Sequence, residues 1–115
     1  MEIFTGNVAE RSLSAKNPVA NAIFLFGGNV KEKPLLYKLA DAHLHIDKNT
    51  PPILFQFGGT EDPAKVQPSI DKLKNLGVPT QLLTHYKDGK HGCWNRHPWF
   101  LPIIEDIDTW FREHL

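Results

Sequence analysis

Two short segments hold the residues whose types and spacing suit chemistry: GGTEDP at positions 58–63 and KDGKHGCWN at 87–95. Asp62 and His91 are the pair of interest. A carboxylate that accepts a hydrogen bond from one imidazole N–H orients the ring and stabilises it when protonated, which leaves the other nitrogen to act as a general base. Glu61 is the substitute acid if the register shifts by one, and otherwise a solvated side chain. Each residue also has a plainer role. Asp before Pro63 is an ordinary helix N-cap, and His91 among glycines is an ordinary turn histidine. Cys93, two residues from His91, offers a thiol nucleophile, but sequence proximity does not establish contact, and a packed cysteine is the commoner state. Trp94, Trp99 and Phe100 line a pocket or pack the loop onto its sheet.

A separate constellation is DAHLHID at 41–47. His43 and His45 on alternate residues of a strand would face one side and share a metal ion, with Asp41 beside them. The context opposes this: the motif follows helix-like PLLYKL rather than an apolar strand, and surface histidines are the better reading.

The elements around 58–63 and 87–95 read as a βαβ unit. ILFQF (53–57) is a nearly continuous apolar run of the kind buried in parallel sheets, and Gly58-Gly59 ends it. Asp62-Pro63 opens a helix, with regular winding expected from about Pro68. There Val66, Ile70, Leu73 and Leu76 fall on one face. Gly77 stops it, and TQLLTHY (80–86) is the second strand. Both candidate segments therefore follow strand C-termini, the edge where open α/β sheets collect catalytic groups. From Pro98 to Leu115 an amphipathic helix shows Ile103, Ile107, Trp110 and Phe111 on one face and Glu105, Asp106, Asp108 and Arg112 on the other. Upstream, PLLYKLADAHL forms a short helix with Pro34 in its first turn and Leu35, Leu36 and Leu39 at helical spacing. AIFLF (22–26) fits a helical turn or a strand equally, and the first twenty residues show no sustained period.

Composition narrows the classes. The 115 residues suit one small domain, and 41% hydrophobic with 23% charged residues is ordinary for a globular protein. Thirteen basic residues balance thirteen acidic ones, with no block that suggests nucleic acid. No apolar run is long enough to span a bilayer. The single cysteine excludes an intrachain disulfide and fits a reducing compartment. The N-terminal sequence lacks the pattern of a signal peptide, which makes the cytoplasm the default location.

The order strand, G-x-x-D-P, helix, G-V-P, strand, G-x-H-G-x-W-N resembles the C-terminal segment of α/β-hydrolase esterases, in particular the carboxylesterase and acetyl-xylan-esterase-like group related to the prolyl oligopeptidase family. The resemblance runs from about Phe26 to Leu115, with residues 1–50 as a cap-like excursion and 51–115 as the acid- and histidine-bearing segment. It implies a partial α/β-hydrolase fold and hydrolysis of a short acyl or carbohydrate ester through a serine acyl-enzyme. Asp62 would be the acid and His91 the base, with no metal or organic cofactor. The chain departs from the family in three ways. The G-x-S-x-G nucleophile elbow is absent, since the only serines are Ser12, Ser14 and Ser69. The glycine-rich oxyanion loop is absent. The segment from Asp62 to Gly77 is about one helical turn shorter than in many relatives, which shifts the acid loop. The first two departures imply that this chain is inactive alone and awaits an N-terminal half, while the open strand edges of so small a sheet favour self-association. A truncated, non-catalytic interaction module is the alternative; a metal hydrolase using His43 and His45 is a further one. No nucleic acid or membrane partner is implied.

Overall fold

The computed structural model describes residues 20–115. Ser12 and Ser14 lie outside them. The chain forms two compact units, one ending at Ile46 and one spanning Asp47–Leu115.

In the first unit, AIFLF resolves as a helix: α1 covers Ala20–Phe26. Gly27, at φ +76°, stops it, and Gly28 N–H donates to the Ile23 carbonyl at 3.0 Å. Helix α2 covers Pro34–Ala40, with the proline in its first turn as expected. The packing differs from the apolar pattern. Tyr37 is the buried residue of α2. Its ring meets Phe26 edge-on, with centroids 4.6 Å apart. Its hydroxyl donates to the Gly28 carbonyl at 3.1 Å. Leu35 and Leu39 point outward instead, 74% and 68% exposed. A seven-residue helix buries only one narrow stripe, and the ring of Tyr37 claims it.

The second unit is mixed α/β. Strand β1 (Ile53–Gly58) and strand β2 (Thr80–Tyr86) pair in parallel as a two-stranded sheet. Between them run a 3₁₀ turn, Pro63–Val66, and helix α3, Gln67–Asn75. Val66, Ile70 and Leu73 are buried on the expected face. Leu76 is not; it caps the helix C-terminus and is 41% exposed. Gly77 takes φ +74°, and Val78 N–H then bonds back to the Leu73 carbonyl at 3.0 Å, closing the helix as a left-handed C-cap does. Helix α4 (Phe100–His114) packs against β1. Ile103 and Trp110 are buried in it, and Phe111, assigned to the apolar face from spacing, is half exposed. Tyr86, Cys93 and Ile103 form a core cluster, with Leu83, Trp99 and Ile107 packed around it.

A bulge interrupts the strand pairing near its C-terminal end. From Gln56 to Gly58 β1 advances two residues while β2 advances three, from Leu83 to Tyr86. The extra residue on β2 re-aims side chains, so that the successive residues His85 and Tyr86 both reach Asp106 of α4.

Candidate acid–histidine site

Both candidate loops leave the same end of the parallel sheet, and backbone hydrogen bonds join them. The Tyr86 carbonyl accepts from Gly59 N–H and from Gly89 N–H, each at 2.9 Å. The Gly89 carbonyl accepts from Thr60 N–H at 3.0 Å and from the Thr60 hydroxyl at 2.8 Å. This approach is too close for side chains. A Cβ at Gly58 would collide with the Gly89 carbonyl, and one at Gly89 would sit 2.8 Å from the Tyr86 oxygen and 3.0 Å from Cys93 Sγ. Asp88, at φ 59°, makes the left-handed bend before Gly89, a conformation that Asp tolerates better than most residues.

The carboxylate that meets His91 is that of Glu61. Its Oε1 lies 2.8 Å from His91 Nδ1, and its Oε2 accepts Gly58 N–H at 2.7 Å. Asp62 instead accepts Ala64 N–H at 2.9 Å and caps the Pro63–Val66 turn. The physical reason is local. Pro63 opens the turn at once, so the residue before it faces the unpaired N–H groups of that turn. The residue before that falls against β1's end and reaches across to the second loop.

The geometry fixes the imidazole. With the carboxylate as acceptor, Nδ1 carries the proton and Nε2 is left as the basic nitrogen. The Glu61 side chain is 23% exposed and that of His91 84%. A contact so open to water adds little stability; its contribution is orientation. Trp94 meets the imidazole edge-on, with centroids 5.6 Å apart and rings at 88°, and is itself 53% exposed. Trp99 turns the other way, packing on the Tyr86 cluster and donating its indole N–H to the Lys87 carbonyl at 2.8 Å. Phe100 is half exposed. Cys93 is buried, 6% exposed, within the same cluster, so its thiol is packing rather than a partner for substrate.

Beneath the loops lies a polar network that sequence reading missed. Gln56 Nε2 donates to the Tyr86 hydroxyl at 2.6 Å, and that hydroxyl donates to Asp106 Oδ2 at 2.7 Å. His85 Nε2 reaches the same Asp106 oxygen at 2.9 Å. Burial, reinforced by the carboxylate of Asp106, pushes the Tyr86 phenol well above its usual range, so it stays a hydrogen-bond donor. Asp106 reads from helical spacing as a wet-face residue. Only the bulge and the α4 packing bring it to Tyr86.

His43 and His45 take the loop placement that the sequence favours over a shared metal. The pair lies in a 3₁₀ turn, Ala42–His45, not in a strand. Asp41 caps that turn by accepting His43 N–H at 3.0 Å, and His45 Nε2 lies 2.8 Å from the Leu39 carbonyl, so the ring nitrogen faces backbone. Among the described residues no group of three or more His, Cys, Asp or Glu side chains is placed to hold a metal ion. Among them, too, no helix is long and apolar enough to cross a membrane.

Comparisons of the chain with protein-family models, with curated proteins and with solved structures find no match.

Proposed function

We propose that this chain is the acid- and histidine-bearing segment of an α/β-hydrolase-type esterase, with Glu61 orienting His91 as the general base. The observation that carries the reading is the 2.8 Å contact between Glu61 Oε1 and His91 Nδ1 at the C-terminal end of a parallel βαβ unit. In the reaction, Nε2 of His91 would take the proton of a serine hydroxyl as that oxygen attacks the ester carbonyl. The same proton would then pass to the leaving alcohol. Asp62 is the position that the family motif marks as the acid, and Glu61 replaces it in this reading because only Glu61 reaches the imidazole. In this reading the nucleophile comes from outside the described residues, since Ser69, the one serine among them, is buried on α3.

The test is turnover of p-nitrophenyl acetate by this chain alone and by the chain extended with the residues encoded directly upstream. The reading expects negligible turnover by the chain alone. It expects turnover by the extended protein, dependent on an upstream G-x-S-x-G serine and lost in His91→Ala. Full activity of the extended protein carrying His91→Ala would sink it.

A second reading rests on a different observation. The sheet has two strands, so among the described residues the outer edge of each is unpaired, and α4 exposes Phe100, Leu101, Ile104 and Phe111. Such surfaces favour self-association. A stable dimer in light scattering, with no hydrolysis by the extended protein, would favour this interaction module over the esterase.

A further inference from the structure

We infer that the outer face of α4 pairs with the same face of a second copy of this chain, antiparallel, so that Glu105 of each copy meets Arg112 of the other; this deepens the self-association reading and rests on it for the claim that the chain pairs with itself. A surface helix needs one apolar stripe about 100° wide to hold it to its own domain. On α4 that stripe is Ile103, Ile107 and Trp110. Ile103 and Trp110 are buried, and Ile107 packs on the Tyr86 cluster. At about 100° per residue, a second stripe lies roughly a quarter turn round the axis. It consists of Leu101, Ile104, Phe111 and Leu115, with Phe100 at its margin, and all five are exposed. Leu115 continues the helix, since its N–H bonds to the Phe111 carbonyl at 3.0 Å. Two such stripes packed together remove on the order of 1,000 Å² from water, which is where specific interfaces begin.

Spacing and charge say what covers this stripe. From Leu101 it runs in steps of three, four, three and four through Ile104, Asp108, Phe111 and Leu115, the seam of a helix that packs on another helix. Two-fold symmetry sets residues equally far from the axis against each other. With the axis at Asp108, in the middle of the seam, antiparallel helices set Leu101 against Leu115 and Ile104 against Phe111 of the other copy. Glu105 and Arg112 flank the seam on one side, seven residues apart, and the same arrangement sets each Glu105 beside the other copy's Arg112. A parallel pair would set those rim positions against Phe100 and Ile107 instead. Among the described residues Glu105 is exposed and makes no ion pair. Arg112 holds Asp108 at 2.8 Å, with both side chains mostly open to water. So weak a bond leaves the guanidinium free to reach the other copy's Glu105 while it still shields Asp108. That shielding is needed, because the two Asp108 carboxylates face each other across the axis. Asp106 and Glu113 lie on the far side of α4, and Asp106 is held by Tyr86 and His85.

Sedimentation equilibrium of the intact chain tests this. The parent should dimerise across the micromolar range. Glu105→Lys and Arg112→Glu each set like charges against one another, and each should weaken the dimer by about tenfold or more. Both positions are exposed, so neither change should alter the fold, which circular dichroism checks. Mixed together, the two variants should form a heterodimer as tight as the parent dimer, since each supplies the charges that the other repels in itself. Glu105→Lys combined with Arg112→Glu in one chain should restore self-pairing for the same reason. A dimer that neither single variant weakens, or two weakened variants that fail to rescue each other, would overturn the inference and leave the self-association reading to another surface, such as a sheet edge. A chain that stays monomeric throughout would sink both. An extended protein that is monomeric would give this face to its upstream half and overturn the inference as well.

Discussion

Replacing Gly58 with alanine should separate the two loops and disperse the site. A Cβ there would collide with the Gly89 carbonyl oxygen and would lie 2.7 Å from its carbon and 3.0 Å from the Lys90 oxygen. Ordinary contact begins at 3.4 Å, so the backbones must part by at least about 0.7 Å, since every obstacle is backbone and none is a flexible side chain. That displacement stretches both bonds from Thr60 to the Gly89 carbonyl, worth about 1 kcal/mol each. Overpacking adds a further ~1–3 kcal/mol. The sum is about 3–5 kcal/mol, which for a unit of this size would lower the melting temperature by more than ~10 °C. Gly77→Ala is the control. Its φ of +74° is left-handed, as that of Gly58 is not, but nothing lies within 4 Å of its added Cβ, so it should lose only ~1–2 kcal/mol from the left-handed backbone. Urea unfolding measures both, and the His91 ring signals report whether Nδ1 keeps its partner. If Gly58→Ala were no more costly than Gly77→Ala, with the His91 signals unchanged, the stitched-loop account would be wrong.

Three other outcomes follow from the same geometry. In the extended protein, Glu61→Gln should reduce ester turnover by roughly two orders of magnitude, and Asp62→Asn by much less; the reverse ranking would restore Asp62 as the acid. Because the folded state raises the Tyr86 pKa, its contribution is complete below the unfolded value of 10.0 and is lost as pH climbs beyond it. Urea midpoints measured between pH 8 and 11 should therefore fall at the alkaline end in the parent, and fall less in Tyr86→Phe. Leu73→Ala should cost about 2–5 kcal/mol, as a fully buried leucine does, whereas Leu76→Ala, at 41% exposure, should cost under ~1 kcal/mol; matching losses would mean that α3 is packed differently.

The sequence by itself determined the βαβ order, the start and stop of α3, and α4. Those features depend on interactions within a few residues: apolar period, a capping Asp before Pro63, and a glycine that alone takes a left-handed stop without strain. It also located the two loops, because strand ends are marked by glycines that the close approach of Gly58 and Gly89 requires. Which acid meets His91 was not legible. Glu61 and Asp62 are neighbours of similar chemistry, and the choice turns on the direction each side chain takes from a turn held against a loop thirty residues away. The same holds for Asp106, where a one-residue bulge brings both His85 and Tyr86 to a single carboxylate oxygen. Hydrophobic period likewise could not tell that Tyr37 would take the buried stripe of α2 and leave Leu35 and Leu39 in water. Local sequence sets elements because short-range sterics and hydrogen bonds act along the chain; tertiary structure decides partners because contacts between distant residues depend on register and side-chain direction, which no local period encodes.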